Sequence, residues 1–238
     1  MYDLARFTLK DMTECGSTLR KLGQHAQTME DAANRIVHYF YEQFGNDETG
    51  ARSLALARLF KTHNYGELTP DLQQFVQTMH QEPNPSMKCL TLMGTAGDRP
   101  EWCTRTGSRG HQAIPLIDQH MVSQIPMISQ LIHQFGLEID TVLSPNPAIV
   151  MDLEQTTFNV FHVPSALGSP YVPAQDFVET FGIESVLGFG GMMPSGNLMA
   201  VILFSKEPIS RTTAELFKTL ALNVKVALLP FERSLVFA

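Results

Sequence analysis

Charge is scarce in this chain of 238 residues, and basic charge is scarcest. Charged residues make up 17% of it, with 17 lysines and arginines against 24 aspartates and glutamates. A formal net charge of −7 with no basic run longer than two residues excludes a nucleic-acid groove, which needs lysine and arginine gathered on one face. Cysteine is scarcer still. Cys15, Cys89 and Cys103 are odd in number and form no C-x-x-C pair, which argues against a disulfide framework and for a reducing cytoplasm. No apolar run approaches the roughly 18 residues of a membrane span, and the N-terminus lacks the charged start and apolar core of a secretory signal. A cytoplasmic chain without a membrane partner is expected. Nucleophile-elbow, P-loop and metalloprotease patterns are also missing.

What is present is an ordinary globular composition, 44% apolar. A chain of this length buries roughly 70–75% of its unfolded surface, enough for a substantial core. The first part reads as helical, with apolar residues sparse from Met12 to Leu22 and Gly23 interrupting the pattern. Thr28 and Asp31 then open a second helix, with Ala32, Ile36, Val37, Phe40, Tyr41 and Phe44 on one stripe and Gly45 stopping it. Ser53 to Lys61 reads as a strand, with Leu54, Leu56 and Phe60 on one face interrupted by Arg58. Thr69-Pro70 starts a short helix whose buried side is Leu72, Phe75, Val76 and Met79. Cys89–Thr95 and His111–Ile117 are further strands, separated by a polar loop that holds Trp102, the single tryptophan. Asp118 caps a helix reaching about Phe135, which Pro126 should kink or split. A turn follows at Ser144–Pro147, then a strand from Thr157 to Val163, an irregular loop from Pro164 to Pro173 and a short helix from Ala174 to Phe181. Ile183–Met192 and Leu198–Ser205 form a hairpin about Pro194-Ser195-Gly196-Asn197, and Ser210 caps a last amphipathic helix ended by Pro230.

No linker or repeat divides the chain, so residues 1–45 are read as helices of the same domain, 46–230 as its body and 231–238 as a tail. The order of elements resembles that of GAF domains. The likeness is clearest from Phe181 to Leu229, where Ser185-Val-Leu-Gly-Phe-Gly-Gly resembles the fifth strand, Leu198–Phe204 the sixth and Ser210–Leu229 the C-terminal helix. Cys89-Leu-Thr-Leu-Met-Gly-Thr-Ala-Gly-Asp, Gly110-His-Gln-Ala-Ile-Pro-Leu, Ile125-Pro-Met-Ile-Ser-Gln-Leu-Ile and Phe158-Asn-Val-Phe-His-Val-Pro resemble input domains of bacterial two-component signalling proteins. The resemblance implies an α+β fold: a six-stranded antiparallel sheet flanked by helices, long N- and C-terminal helices, and a ligand pocket under loops. It implies a non-catalytic sensory domain that binds a small molecule or a protein partner, with a signalling partner or output module expected elsewhere or absent because none follows Pro230.

The pocket is expected between the sheet and segments 97–116 and 164–175, with Trp102, His111, Met127, Phe158, His162, Tyr171 and Phe189 as ligand-binding candidates. No catalytic or metal-binding residue is assigned, and the sequence names no cofactor. Eight histidines lack zinc spacing. His111 and His162, each in a candidate strand, read as structural hydrogen-bonding groups, as polar contacts to an organic ligand or as haem or metal axial ligands. Met121, Met127, Met192, Met193 and Met199 read as core or as an adaptable lining. Gly188-Phe-Gly-Gly-Met-Met lacks the third glycine of a dinucleotide fingerprint, because Met193 stands there. Those glycines allow close packing, a bulge or the approach of a ligand. Two alternatives remain: a homodimerising scaffold built on the apolar stripes of the first and last helices, and a thiol reductase using Cys89 and Cys103.

Overall fold

The computed structural model describes residues 1–46, 49–146, 159–232 and 235–237. Six strands form one sheet: β1 (Leu54–Asn64), β2 (Lys88–Gly97), β3 (Ala113–Leu116), β4 (Val160–Val163), β5 (Ser185–Met192) and β6 (Leu198–Ser205). Their order is β3-β2-β1-β6-β5-β4, and every neighbouring pair is antiparallel. Eight α-helices are described: α1 (Leu9–Leu22), α2 (Met29–Gln43), α3 (Pro70–Gln77), α4 (Gln119–Ser123), α5 (Pro126–Gln134), α6 (Ile139–Leu143), α7 (Gln175–Phe181) and α8 (Arg211–Leu228).

Local chemistry accounts for the helix boundaries. Thr8 and Asp11 form a reciprocal capping box at α1. The hydroxyls of Thr28 and Ser210 accept from the backbone N–H groups of Asp31 and Thr213 at 3.1 and 3.0 Å, and the Asp118 carboxylate accepts from Met121 at 2.8 Å. Pro126 splits the helix expected from Asp118 to Phe135: α4 ends before it, and α5 begins on it, where a missing N–H costs no hydrogen bond. Gly182 closes α7 in the left-handed region at φ 60°, a conformation glycine adopts without strain.

The sheet separates two cores. On one side α1, α2 and α8 pack over Ala57, Leu59, Leu187, Phe189, Val201 and Leu203. Phe7, Phe40, Phe44, Phe189 and Phe217 interlock there at centroid distances of 5.2–5.9 Å. On the other side α4–α7 and their loops cover Leu56, Phe60, Leu90, Leu92, Phe161, Ala200, Ile202 and Phe204. A small cluster of Tyr65, Leu68, Leu72 and Val76 with Cys89 and Ala113 lies beside β2 and β3.

Three details differ from the sequence reading. Leu54 lies on the helix side and Leu56 on the other, because the β1–β6 register shifts between Leu54 and Leu56. His111 precedes β3 instead of lying in it, since pairing with β2 begins only at Ala113. Met79 stands two residues beyond the end of α3 and is 45% exposed. Phe158, Pro147 and the start of the expected strand at Thr157 lie outside the described residues.

Candidate functional site

The sheet face opposite α1, α2 and α8 carries a partly open cavity of about 420 Å³. Its floor follows from strand periodicity: side chains two residues apart share a face, which brings Leu56, Arg58 and Phe60 of β1 beside Leu198, Ala200, Ile202 and Phe204 of β6. Ile125, Met127, Ile128, Leu131 and Ile132 roof it from α5 and its cap. Val172, Pro173, Ala174 and Phe177 close one side, with Trp102 and His111 beside them. The aromatic wall is braced edge to face, Phe177 lying 5.2 Å from Phe204 and 5.5 Å from Trp102. Thr95 Oγ1 donates to the Trp102 carbonyl at 2.6 Å and ties that wall to β2.

Arg58 is the one permanently charged group in this lining. It projects from β1, opposite Thr95 of β2 and Ile202 of β6, and is 7% exposed. Its Nε is buried without a hydrogen-bond partner. Burial lowers its pKa to about 10, so it remains a cation at neutral pH. At the cavity rim the His111 Nδ1 lies 3.0 Å from the Arg109 carbonyl oxygen, so Nδ1 carries the proton of the neutral ring and donates. The protein around the ring, and then the charge of Arg58, lower the His111 pKa.

The structure brings Trp102, His111 and Met127 together on the cavity wall. His162 projects from the other face, with Nε2 at 2.8 Å from the Ile209 carbonyl oxygen. Phe189 is fully buried between Phe40 and Phe217, also on the helix side. Tyr171, beside Val172, is 37% exposed and is not among the lining residues. Of the five methionines singled out, only Met127 reaches the cavity. The glycines of β5 serve backbone packing: a Cβ on Gly190 would lie 2.0 Å from the Met199 carbonyl oxygen. Sequence reasoning missed Arg58 as a wall residue, although a charge at an alternate position of an apolar strand was the available signal.

The two cysteines do not meet. Cys103 Sγ lies 3.4 Å from the Gly97 carbonyl oxygen, eight strand residues from Cys89, which is roughly 25 Å at 3.3 Å per residue. Burial also pushes the Cys89 thiol up to about 12, away from the reactive thiolate. Among the described residues no group of three or more His, Cys, Asp or Glu side chains could hold a metal ion. No described helix is long and apolar enough to cross a membrane.

A second, polar cavity of about 660 Å³ opens on the helix side of β1 and β2, beside residues 235–237. Its charges balance: Lys61 and Lys88 face Glu67 and Glu232, with Lys61 Nζ 4.0 Å from Glu232 and Lys88 Nζ donating to Asn197 Oδ1 at 2.8 Å. Ser195 Oγ also donates to the Glu232 carboxylate. His63, 2% exposed, packs 5.3 Å from Phe237, and its Nε2 has no partner. Burial, and then the charges of Lys61 and Lys88, hold the His63 pKa well below 6.5. Below pH 6.5 the unfolded chain therefore binds a proton that the folded chain refuses, and stability falls as pH drops. His162, lowered mainly by burial, acts in the same direction. The melting temperature is expected to decline between pH 6.5 and 5, and His63→Leu to flatten part of that decline. An unchanged slope in the variant would remove His63 as a cause.

The sheet order, with helices on one face and a covered cavity on the other, is the arrangement implied by the resemblance seen in the sequence. The fold is GAF-like. No protein-family model and no curated protein matches the chain. Among solved structures, the GAF domain of a phosphoenolpyruvate-protein phosphotransferase from Coxiella burnetii is similar over 93% of this chain and 94% of that one, at 12% identity and a TM-score of 0.46. The corresponding Acinetobacter domain is similar over 94% and 95%, at 12% identity and 0.43. A LuxR-family transcription factor from Burkholderia cenocepacia, described as dependent on N-acylhomoserine lactone, is similar over 92% and 96%, at 12% identity and 0.40. These are distant likenesses in the path of the chain.

Proposed function

We propose that this GAF-like chain is a non-catalytic sensory domain of bacterial signal transduction, acting in the cytoplasm, whose cavity binds a small and largely apolar molecule. The cavity is the observation that carries this reading. Protein interiors pack to a density near 0.75 and leave few voids larger than a water molecule, whereas this one measures about 420 Å³ and is lined almost wholly by apolar side chains. That is the size and chemistry of a small-molecule site. A bound molecule would contact α5, the segment 172–177 and Trp102 together, and so favour one arrangement of these covering segments over others. A partner or output module reading that arrangement would complete the signal.

Homodimerisation is the second reading, and one feature favours it. Leu222 and Val226 on the outer side of the last helix, and Leu229 at its C-cap, are 46, 40 and 37% exposed at spacings of four and three, an apolar stripe. A second copy of the same stripe would cover it symmetrically. Native mass spectrometry of the purified protein, alone and with 1-decanol added as an apolar probe, tests both readings. A mass above the 26.5 kDa chain by one small molecule supports the sensor, and a doubled mass supports the dimer. A bare monomer that takes up no probe would sink both.

A further inference from the structure

We propose that the molecule bound in this cavity is an amphipathic carboxylic acid, its carboxylate received by Arg58 in the floor and its apolar body held against α5 and the Phe177–Trp102 wall. The inference rests on the reading of the cavity as a ligand site and adds the chemical class of the ligand.

Three observations converge on it. First, Arg58 is 7% exposed, its Nε is buried and unpartnered, and no carboxylate among the described residues pairs with it. A buried charge is ordinarily paired or hydrogen-bonded, so this guanidinium lacks the partner that its position calls for. Second, the side chain leaves the middle of the sheet, with β2 on one side of β1 and β6 on the other, and the cavity lies directly over it. A surface arginine can extend its head into water, but this one faces the void. Third, Leu56, Phe60, Ala200 and Ile202 surround it on the same floor with no polar side chain among them. The floor is therefore apolar except at one cationic point, and the polar groups of the wall are the His111 imidazole and the Trp102 indole.

Arginine presents a planar fork of donors that matches a carboxylate two bonds at a time. One guanidinium neutralises one monoanion. A dianionic phosphate would keep a surplus negative charge in an apolar chamber, since His111, the other titratable group of the lining, is held towards its neutral form. A cationic ligand would meet Arg58 with like charge. The cavity at interior packing density accepts roughly 300 Å³ of ligand, room for a medium-length acyl chain or a fused-ring body behind the head group.

The test is calorimetric titration of the full chain with decanoate, 1-decanol and decylamine, which share one apolar body and differ in the head. Decanoate is expected to bind best and decylamine worst. Arg58→Gln and Arg58→Met are expected to weaken decanoate by about thirtyfold or more, the usual consequence of truncating one side of a buried charge pair, with 1-decanol affected little. Decanoate and 1-decanol binding equally to the unaltered chain would overturn the carboxylate inference and leave the cavity reading standing. Failure of all three probes would overturn the cavity reading itself. Because the head-group comparison is made on the unaltered chain, the inference stays testable even where a variant fails to fold.

Discussion

Ala200→Phe abolishes binding of 1-decanol and leaves the fold intact or firmer. Ala200 lies in the cavity floor on β6, paired with Phe60 of β1 and Gly190 of β5, and is 3% exposed. In a close-packed core a benzyl group added here would force side chains off their rotamers and cost about 1–3 kcal/mol. Here it enters a void of about 420 Å³, so the added apolar surface is buried without displacing neighbours. Burying an aromatic side chain contributes ~1.5–3 kcal/mol, and each kcal/mol raises the melting temperature of a chain this size by ~2–4 °C. The expected pair of results is therefore a Tm unchanged or raised by several degrees and a calorimetric signal for 1-decanol lost altogether. A lowered Tm with binding retained would show that the space over β6 is packed in solution and that the probe enters elsewhere.

That the cavity sits where it does was partly legible in the sequence. The hairpin about Gly196, the caps at Thr28, Asp118 and Ser210 and the break at Pro126 are local signals. Each acts over four or five residues, and each appears where its chemistry dictates. Trp102 was placed by its loop, His111 by a strand that in fact begins only at Ala113, and Met127 as one of the adaptable methionines, and all three line the cavity. Sidedness was harder to read. His162 and Phe189 lie on strands with apolar residues at adjacent positions, Phe161-His162-Val163 and Leu187-Gly188-Phe189, so alternation does not identify which parity faces the loops. Both faces of this sheet are buried, and a sheet buried twice over gives up the apolar–polar alternation that marks a face. Arg58 was visible as an interruption. Its meaning depended on the absence of a partner, and that is a fact of three dimensions.

Gly94→Ala is expected to destabilise the chain by about 3 kcal/mol, the upper end of the overpacking range. One methyl group rarely costs so much, and the reason lies in the β1–β2 register. Leu59 pairs with Gly94 and Phe60 with Leu92, so Met93 is an extra residue on β2. Such a bulge re-aims the side chains that follow it. Leu90 and Leu92 face the cavity side, whereas the bulged Met93 and, beyond it, Ala96 join the helix-side core. Gly94 is thereby brought directly under α2. A Cβ built on it would lie 2.6 Å from the Ala33 carbonyl oxygen, 2.7 Å from the Ala33 carbonyl carbon and 2.9 Å from the Asn34 nitrogen. All three are backbone atoms of a helix, so no side chain can rotate away and α2 itself must retreat. Retreat loosens Ile36, Val37 and Phe40, each fully buried on that helix. At ~2–4 °C per kcal/mol the melting temperature should fall by about 6–12 °C. The cavity lies on the opposite face, so affinity for 1-decanol measured well below the transition should stay close to that of the unaltered chain. A Tm within a degree or two of the original would mean that α2 does not approach β2 this closely. A loss of affinity at low temperature would mean that the two cores are coupled through the sheet, with the glycine serving the signal as well as the packing.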